Sequence, residues 1–336
     1  MGRWTIAAAL LALVHLALGW PGVAPYDAVT QYAQALSGRF DDWHPPLMAW
    51  AWRALLPLGP GAAPLLVAQL GFYWLGLGLI AAALAAAGRP RAGGVVLGFG
   101  ALPLFSGWEI VVVKDALMAA CLVAAVGLAG WWRLRARPVP PLGVLMIALL
   151  LGVATLLRAN ALFASLPLAL LLWRAKPIAR FALGLGGGAA LIALVPLVNQ
   201  RLLGAEPSHV WRTLPIYDLA GMAARGAPVL SAGEARLLRP GCVSAYFWDP
   251  LGDPAHCGAF AARLEALPPR ALVSRWAIGA ARHPRAYAAH RLAHWNVTER
   301  LWVGRDLFGA APPAASEPNA LGLGSPGPAA RVWQRL

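Results

Sequence analysis

The chain has 336 residues, of which 59% are hydrophobic and only 12% charged, with a mean hydropathy of +0.61. Soluble domains carry about a quarter charged residues, so a string of soluble domains is excluded and a polytopic membrane bundle with an extramembrane portion is expected. The formal charge of +14 would mark a nucleic-acid binder in a soluble protein. Here many of the arginines fall at the ends of apolar runs, where they orient helices, and no nucleic-acid partner is expected.

Apolar runs long enough to cross about 30 Å of hydrocarbon are predicted at residues 4–20, 62–87, 93–107, 115–132, 141–157, 159–173 and 181–199. The first resembles a secretory signal, but its length and the further runs behind it read as an uncleaved span. Residues 46–58 are apolar, short and interrupted by Arg53, which reads as an interfacial segment. Pro103, Pro167 and Pro196 are expected to kink or end their helices.

Charge sets the orientation. Arg3, Arg89, Arg91, Arg133, Arg135, Arg137, Arg174, Lys176 and Arg180 all fall on one side of a seven-span arrangement, which the positive-inside rule makes cytoplasmic. Asp27, Asp41, Asp42, Glu109 and Asp115, every acidic residue before position 200, fall on the other. After Gln200 no run reaches span length. Residues 201–336 therefore read as an outer-face (periplasmic) segment, distinct from a bundle at 1–200 with a first outer loop at 21–61. Arg275 to Trp295 reads as a helix suited to an anionic headgroup surface, and residues 308–330, rich in Pro, Gly and Ala, read as loop. Cys242 and Cys257 lie in a polar stretch; in an oxidising compartment they are expected to pair. Cys121, in an apolar run, reads as packing.

Chemistry concentrates on the outer side. Residues 28–36 read as a short amphipathic helix closed by Gly38, with Asp27 at its start. A carboxylate there is favoured in its ionised form, as a general base requires; an N-cap is the plainer reading of the same residue. His44-Pro45-Pro46 follows Asp41, Asp42 and Trp43, and the prolines stiffen the return to the membrane and fix where His44 points. Lys114-Asp115 stands at the outer end of a span, either as an ion pair at a helix start or as a phosphate contact. Arg158-Ala159-Asn160 occupies an outer reversal against the positive-inside trend, where Arg158 either snorkels to headgroups or grips a phosphate. Tyr217-Asp218 and Trp248-Asp249-Pro250 are further outer-face acids of a type common in loops. His290 and His294 have a metal-ligand spacing but no evident third ligand. The sequence holds no Gly-rich phosphate loop, Cys-x-x-Cys pair or nucleophilic Ser elbow.

A first span, Asp27 at its outer end, a short helix with Gln31 and Gly38, then Asp-Trp-His-Pro-Pro-Leu leading back to the membrane resembles the GT-C superfamily of polytopic glycosyltransferases, with protein O-mannosyltransferases and lipid A aminoarabinose transferases as the nearest kin. The resemblance is motif-level, over residues 1–200. It implies an all-α, GT-C-like bundle in the inner (plasma) membrane that moves a sugar from a polyprenyl-phosphate-linked donor to an envelope acceptor. It also implies Asp27 as catalytic base, with Asp42, His44, Lys114, Asp115, Arg158 and Asn160 binding substrate. The partners implied are the lipid-linked donor and membrane lipids. A divalent metal would be the only cofactor; many members carry a second acid directly after the first, whereas position 28 here is Ala. A transporter or flippase of lipid-linked saccharides, or a non-catalytic envelope-assembly protein, would share the spans. A transporter would show broken helices at mid-membrane, and a scaffold would tolerate loss of Asp27.

Overall fold

A computed structural model describes residues 2–172, 176–245, 248–304, 307 and 312–335. Among them the chain is helical and forms no strand, only two isolated bridges, Val23 with Val111 and Asp41 with Glu206. It divides into two compact units, Met1–Pro207 with Ala311–Leu336, and Ser208–Ala310. The segment expected at 201–336 is thus split, its last stretch belonging to the first unit.

The first unit runs α1 (Gly2–Gly19), α2 (Tyr26–Ser37), α3 (Leu47–Leu55), α4 (Ala63–Ala86), α5 (Pro90–Ala101), α6 (Pro103–Glu109), α7 (Lys114–Arg133), α8 (Pro141–Leu157), α9 (Leu162–Leu172) and α10 (Pro177–Leu197), the last continuing through a π turn, Val198–Leu202. Four helices among the described residues are long and apolar enough to cross a membrane: α1, α4, α7 and α10 with its π turn. Their exposed faces carry large apolar side chains, such as Leu13 on α1 and Ile178 and Phe181 on α10, as lipid contact requires. The run expected at 93–107 is two helices. Leu102 is extended (φ −59°, ψ 139°) because Pro103 follows it. The 17 residues of α8 rise about 25 Å and the 11 of α9 about 17 Å. Arg174, one of the orienting charges, lies outside the described residues, as do residues 308–311 of the expected loop.

Helix α4 is the hub, packed against α1, α5 and α7, with α8 beyond α7. Small residues let these backbones approach. A Cβ added at Gly76 of α4 would overlap the Val123 carbonyl of α7, and one at Gly127 would overlap the Gly76 carbonyl. Without a hydrophobic driving force inside lipid, such close contact is what holds helices together. Residues 46–58 form α3 and a 3-10 turn, Leu56–Leu58, with Met48, Ala49 and Trp52 buried.

After α10 come, in the second unit, α11 (Thr213–Ala223), α12 (Ala232–Leu237), α13 (Asp249–Gly252), α14 (Gly258–Glu265), α15 (Pro269–Arg282) and α16 (Pro284–Glu299). Helix α11 is its centre, against α14, α15 and α16; Ile216, Leu219, Met222, Phe260, Leu264 and Leu272 fill the core. Cys242 and Cys257 form a disulfide with a Cα–Cα distance of 5.7 Å. Ser231 and Glu234 make a reciprocal capping box at α12, and Arg275 donates to both Glu234 oxygens at 2.8 and 2.5 Å. Asp218 is not on a loop surface: it is fully buried on α11, accepting from Trp276 Nε1 and Arg291 Nη2, each at 2.8 Å. His290 packs tilted against Tyr217 at a ring distance of 4.5 Å, and His294 Nδ1 bonds the Ala245 carbonyl at 2.8 Å. These two histidines are packing and hydrogen-bonding residues.

The chain ends in α17 (Pro328–Arg335), which returns to α6 and α1 of the first unit. Trp333 Nε1 donates to Ser106 Oγ at 3.0 Å, and its ring meets His15 edge-on.

Candidate functional site

The turn that leaves α1 is tied to the one that enters α7. Val23 N–H donates to the Ile110 carbonyl at 3.1 Å and Val112 N–H to the Val23 carbonyl at 2.7 Å. Gln69 of α4 pins the same strand-like stretch, its Nε2 donating to the carbonyls of Glu109 and Val111 at 2.8 and 3.0 Å. On the opposite flank, Ala24 N–H donates to Ser316 Oγ and Glu317 N–H to the Ala24 carbonyl, each at 2.9 Å. Val23 and Ala24, four and three positions before Asp27, are therefore fixed from opposite sides.

Helix α2 is capped at its start by Pro25, not by Asp27, and no side chain caps it. It closes at Gly38 in the left-handed region (φ 72°), whose N–H bonds the Gln34 carbonyl. Arg53 of α3 donates to the Ala35 carbonyl at 3.0 Å, so the charge that interrupts residues 46–58 serves the end of α2. Asp27, in the first turn, is free to point elsewhere. Its Oδ2 accepts from Lys114 Nζ at 2.6 Å, and its Oδ1 stands 3.4 Å from His44 Nε2. The hydrogen bond from His44, then the Lys114 ammonium, hold the Asp27 carboxyl well below the usual carboxylate range despite its partial burial.

Lys114 is buried, 6% exposed, at the first residue of α7. A cation there opposes the helix dipole; Asp27 and Asp115 offset it. Asp115, the next residue, pairs with Arg158 Nη1. Arg158 is extended at the end of α8 and begins the 3-10 turn Ala159–Ala161. Three separate segments thus form a row of alternating charge, Asp27, Lys114, Asp115 and Arg158, with His44 on its acidic end.

Asp42 and Asn160 stand apart from this row. Asp42 Oδ2 accepts from Gln200 Nε2 at 3.3 Å, and its N–H donates to the Glu206 carbonyl. Its neighbour Asp41 accepts from Gln34 Nε2 at 2.9 Å and from the Trp43 N–H at 3.0 Å. These two carboxylates shape the loop that delivers His44. Asn160 is exposed in its turn, and among the described residues no side-chain hydrogen bond or ion pair links it to the others. No group of three or more His, Cys, Asp or Glu able to hold a metal ion occurs among the described residues.

Sequence reasoning missed Glu109. It is buried, and among the described residues its Oε2 has no hydrogen-bond partner. The only signal was an acid two residues past an apolar run, which also fits an outer-face acid.

Compared with known proteins, the chain matches no family model, no curated protein and no solved structure.

Proposed function

We propose that this protein is a membrane glycosyltransferase of the GT-C type, acting at the outer membrane–water interface of the inner (plasma) membrane. The observation that carries this reading is the row from Asp27 to Arg158: two carboxylates and two cations, assembled from α2, α7 and the end of α8, beside a proline-stiffened His44. In this reading α8, α9 and the α5–α6 pair complete a bundle of about seven crossings, with the arginine-rich ends in the cytoplasm; the break at Leu102 is a feature that the transporter alternative would also show.

The donor is a sugar on polyprenyl phosphate. An acceptor hydroxyl oxygen attacks the anomeric carbon, the bond from that carbon to the phosphate oxygen breaks, and polyprenyl phosphate leaves. The hydroxyl proton passes to Asp27. Lys114 and Arg158 stabilise the charge that develops on the departing phosphate. Lys114 links both halves of the reaction. Engaged wholly with Asp27, it keeps that carboxylate ionised but weakly basic. A phosphate brought between Lys114 and Arg158 competes for the ammonium and raises the basicity of Asp27 when the acceptor needs it. His44 orients Asp27 throughout.

A structure with added polyprenyl phosphate tests the reading. The phosphate is expected within hydrogen-bond reach of both Lys114 Nζ and an Arg158 guanidinium nitrogen. A phosphate bound elsewhere, with both ion pairs intact, would remove the basis for this donor.

A further inference from the structure

In the Ser208–Ala310 unit, a cleft of about 630 Å³ opens at the corner where α11, α15 and α16 meet. Its polar lining is basic: Arg225 from the turn after α11, Arg282 from the last residue of α15, and His283 and Arg285 from the junction with α16. Gly226 (φ 81°) makes the turn that carries Arg225 into this corner, locked by the Gly226 and Ala227 N–H bonds to the carbonyls of Ala223 and Met222. The rest of the wall is small and apolar, including Ala227, Pro284, Ala286 and Ala289.

Three other arginines of the unit are neutralised or tied to backbone: Arg275 by Glu234, Arg291 by Asp218, Arg212 by the Glu265 and Leu267 carbonyls. In the cleft, Arg225 Nη1 meets only a carbonyl, Gly221 at 3.1 Å, and His290 Nδ1 at 3.3 Å. Among the described residues no carboxylate lines the cleft or pairs with Arg282 or Arg285. Arg285 also sits in the first turn of α16, where a cation opposes the helix dipole, and no side chain caps that end. Three arginines line this one concavity, and a bound anion would offset their like charge.

We propose that this cleft binds a phosphate group. Guanidinium forks match tetrahedral phosphate oxygens, and the apolar wall leaves room for the organic group that a phosphate monoester or diester carries. A soluble phosphate and an anionic lipid headgroup offer the same chemistry, and the test separates them. The proposal does not depend on the transferase reading.

The full chain in an uncharged maltoside detergent is titrated with inorganic phosphate at constant ionic strength, and separately with phosphatidylglycerol or phosphatidylcholine added to the micelles. The thermal midpoint is followed, and the apparent affinity is taken from its concentration dependence. In wild type a saturable rise is expected, and R282A/R285A is expected to weaken the affinity about 100-fold, about tenfold for each charge-assisted contact. R282K/R285K, which keeps the charge and loses the fork, is expected to fall between. Without a probe, R282A/R285A is expected to melt at or above wild type, because removing like charges does not harm the fold. A rise with inorganic phosphate that the double variant weakens assigns the cleft to soluble phosphates. A rise confined to phosphatidylglycerol, again weakened, assigns it to lipid headgroups. No rise with either probe, or equal rises in wild type and R282A/R285A, would overturn the proposal.

Discussion

Asp27 and Glu234 show how differently two held-down carboxylates serve a chain. Glu234 is structural: Arg275 beside it, then the Ser231 cap bonds, hold its carboxyl down at about 2. Its contribution to stability is complete above the ordinary carboxylate value of about 4.3 and is lost as pH falls toward 2. The Ser208–Ala310 unit of Glu234→Gln should therefore start less stable at neutral pH and lose less than wild type between about pH 4.5 and 2, measured by denaturant midpoints across that window. An unchanged acid profile would mean that the Arg275 bond contributes nothing there. Asp27 is 40% exposed while its partner Lys114 is buried, so the pair is lopsided. Asp27→Leu leaves a buried ammonium without its counter-charge and should cost between the roughly 1 kcal/mol of an exposed pair and the roughly 3–5 kcal/mol of a buried one. Lys114→Met leaves a carboxylate that water and His44 still serve, and should cost less. The reverse order in thermal or denaturant melts would contradict the burial difference.

At the scale of elements, the sequence showed where charge meets apolar run but not what the charge would touch. His44-Pro45-Pro46 and Lys114-Asp115 were legible because carboxylates and cations at the edge of hydrocarbon are expensive and stand out. The role of Asp27 as a cap was not borne out, because Pro25 supplies a preset backbone at that position and leaves the carboxylate free. The burial of Asp218 and Glu109 was not legible for one reason: helix burial depends on which face packs against segments far away in sequence. The same holds for α17, whose Trp333 reaches Ser106 across 227 positions. The α4–α7 contact is legible only once both helices are in place. Gly76→Ala and Gly127→Ala should each destabilise by about 1–3 kcal/mol through overpacking, whereas Gly98→Ala on α5, with open space around it, should be neutral or slightly stabilising. Equal melts for all three would mean that the close approach of α4 and α7 is not needed.

For the whole molecule, four helices among the described residues are long and apolar enough to cross a membrane and are joined to shorter apolar helices, and the reading of which side carries Asp27 rests on the arginine-rich ends. Cys121 is buried and the other two cysteines are bridged, so the native chain should be silent to an impermeant thiol reagent. In intact cells Arg39→Cys and Ala315→Cys should react, since Ala24 ties the stretch around Ser316 to the side that bears α2, and Arg137→Cys should not. The opposite pattern would move the site to the cytoplasm. The central claim, that Asp27 is the base of a sugar transfer from a lipid phosphate, is met most directly by a transfer assay with polyprenyl-phosphate-linked sugars. Asp27→Asn keeps the volume and an acceptor oxygen for Lys114 but cannot take the acceptor's proton. Turnover should fall about 10²–10⁴-fold, the usual contribution of a general base, while Asp41→Asn, whose partners are Gln34 and the Trp43 N–H, should stay within about tenfold of wild type. Near wild-type turnover in Asp27→Asn, with loss in Asp41→Asn or Asp42→Asn, would contradict the account.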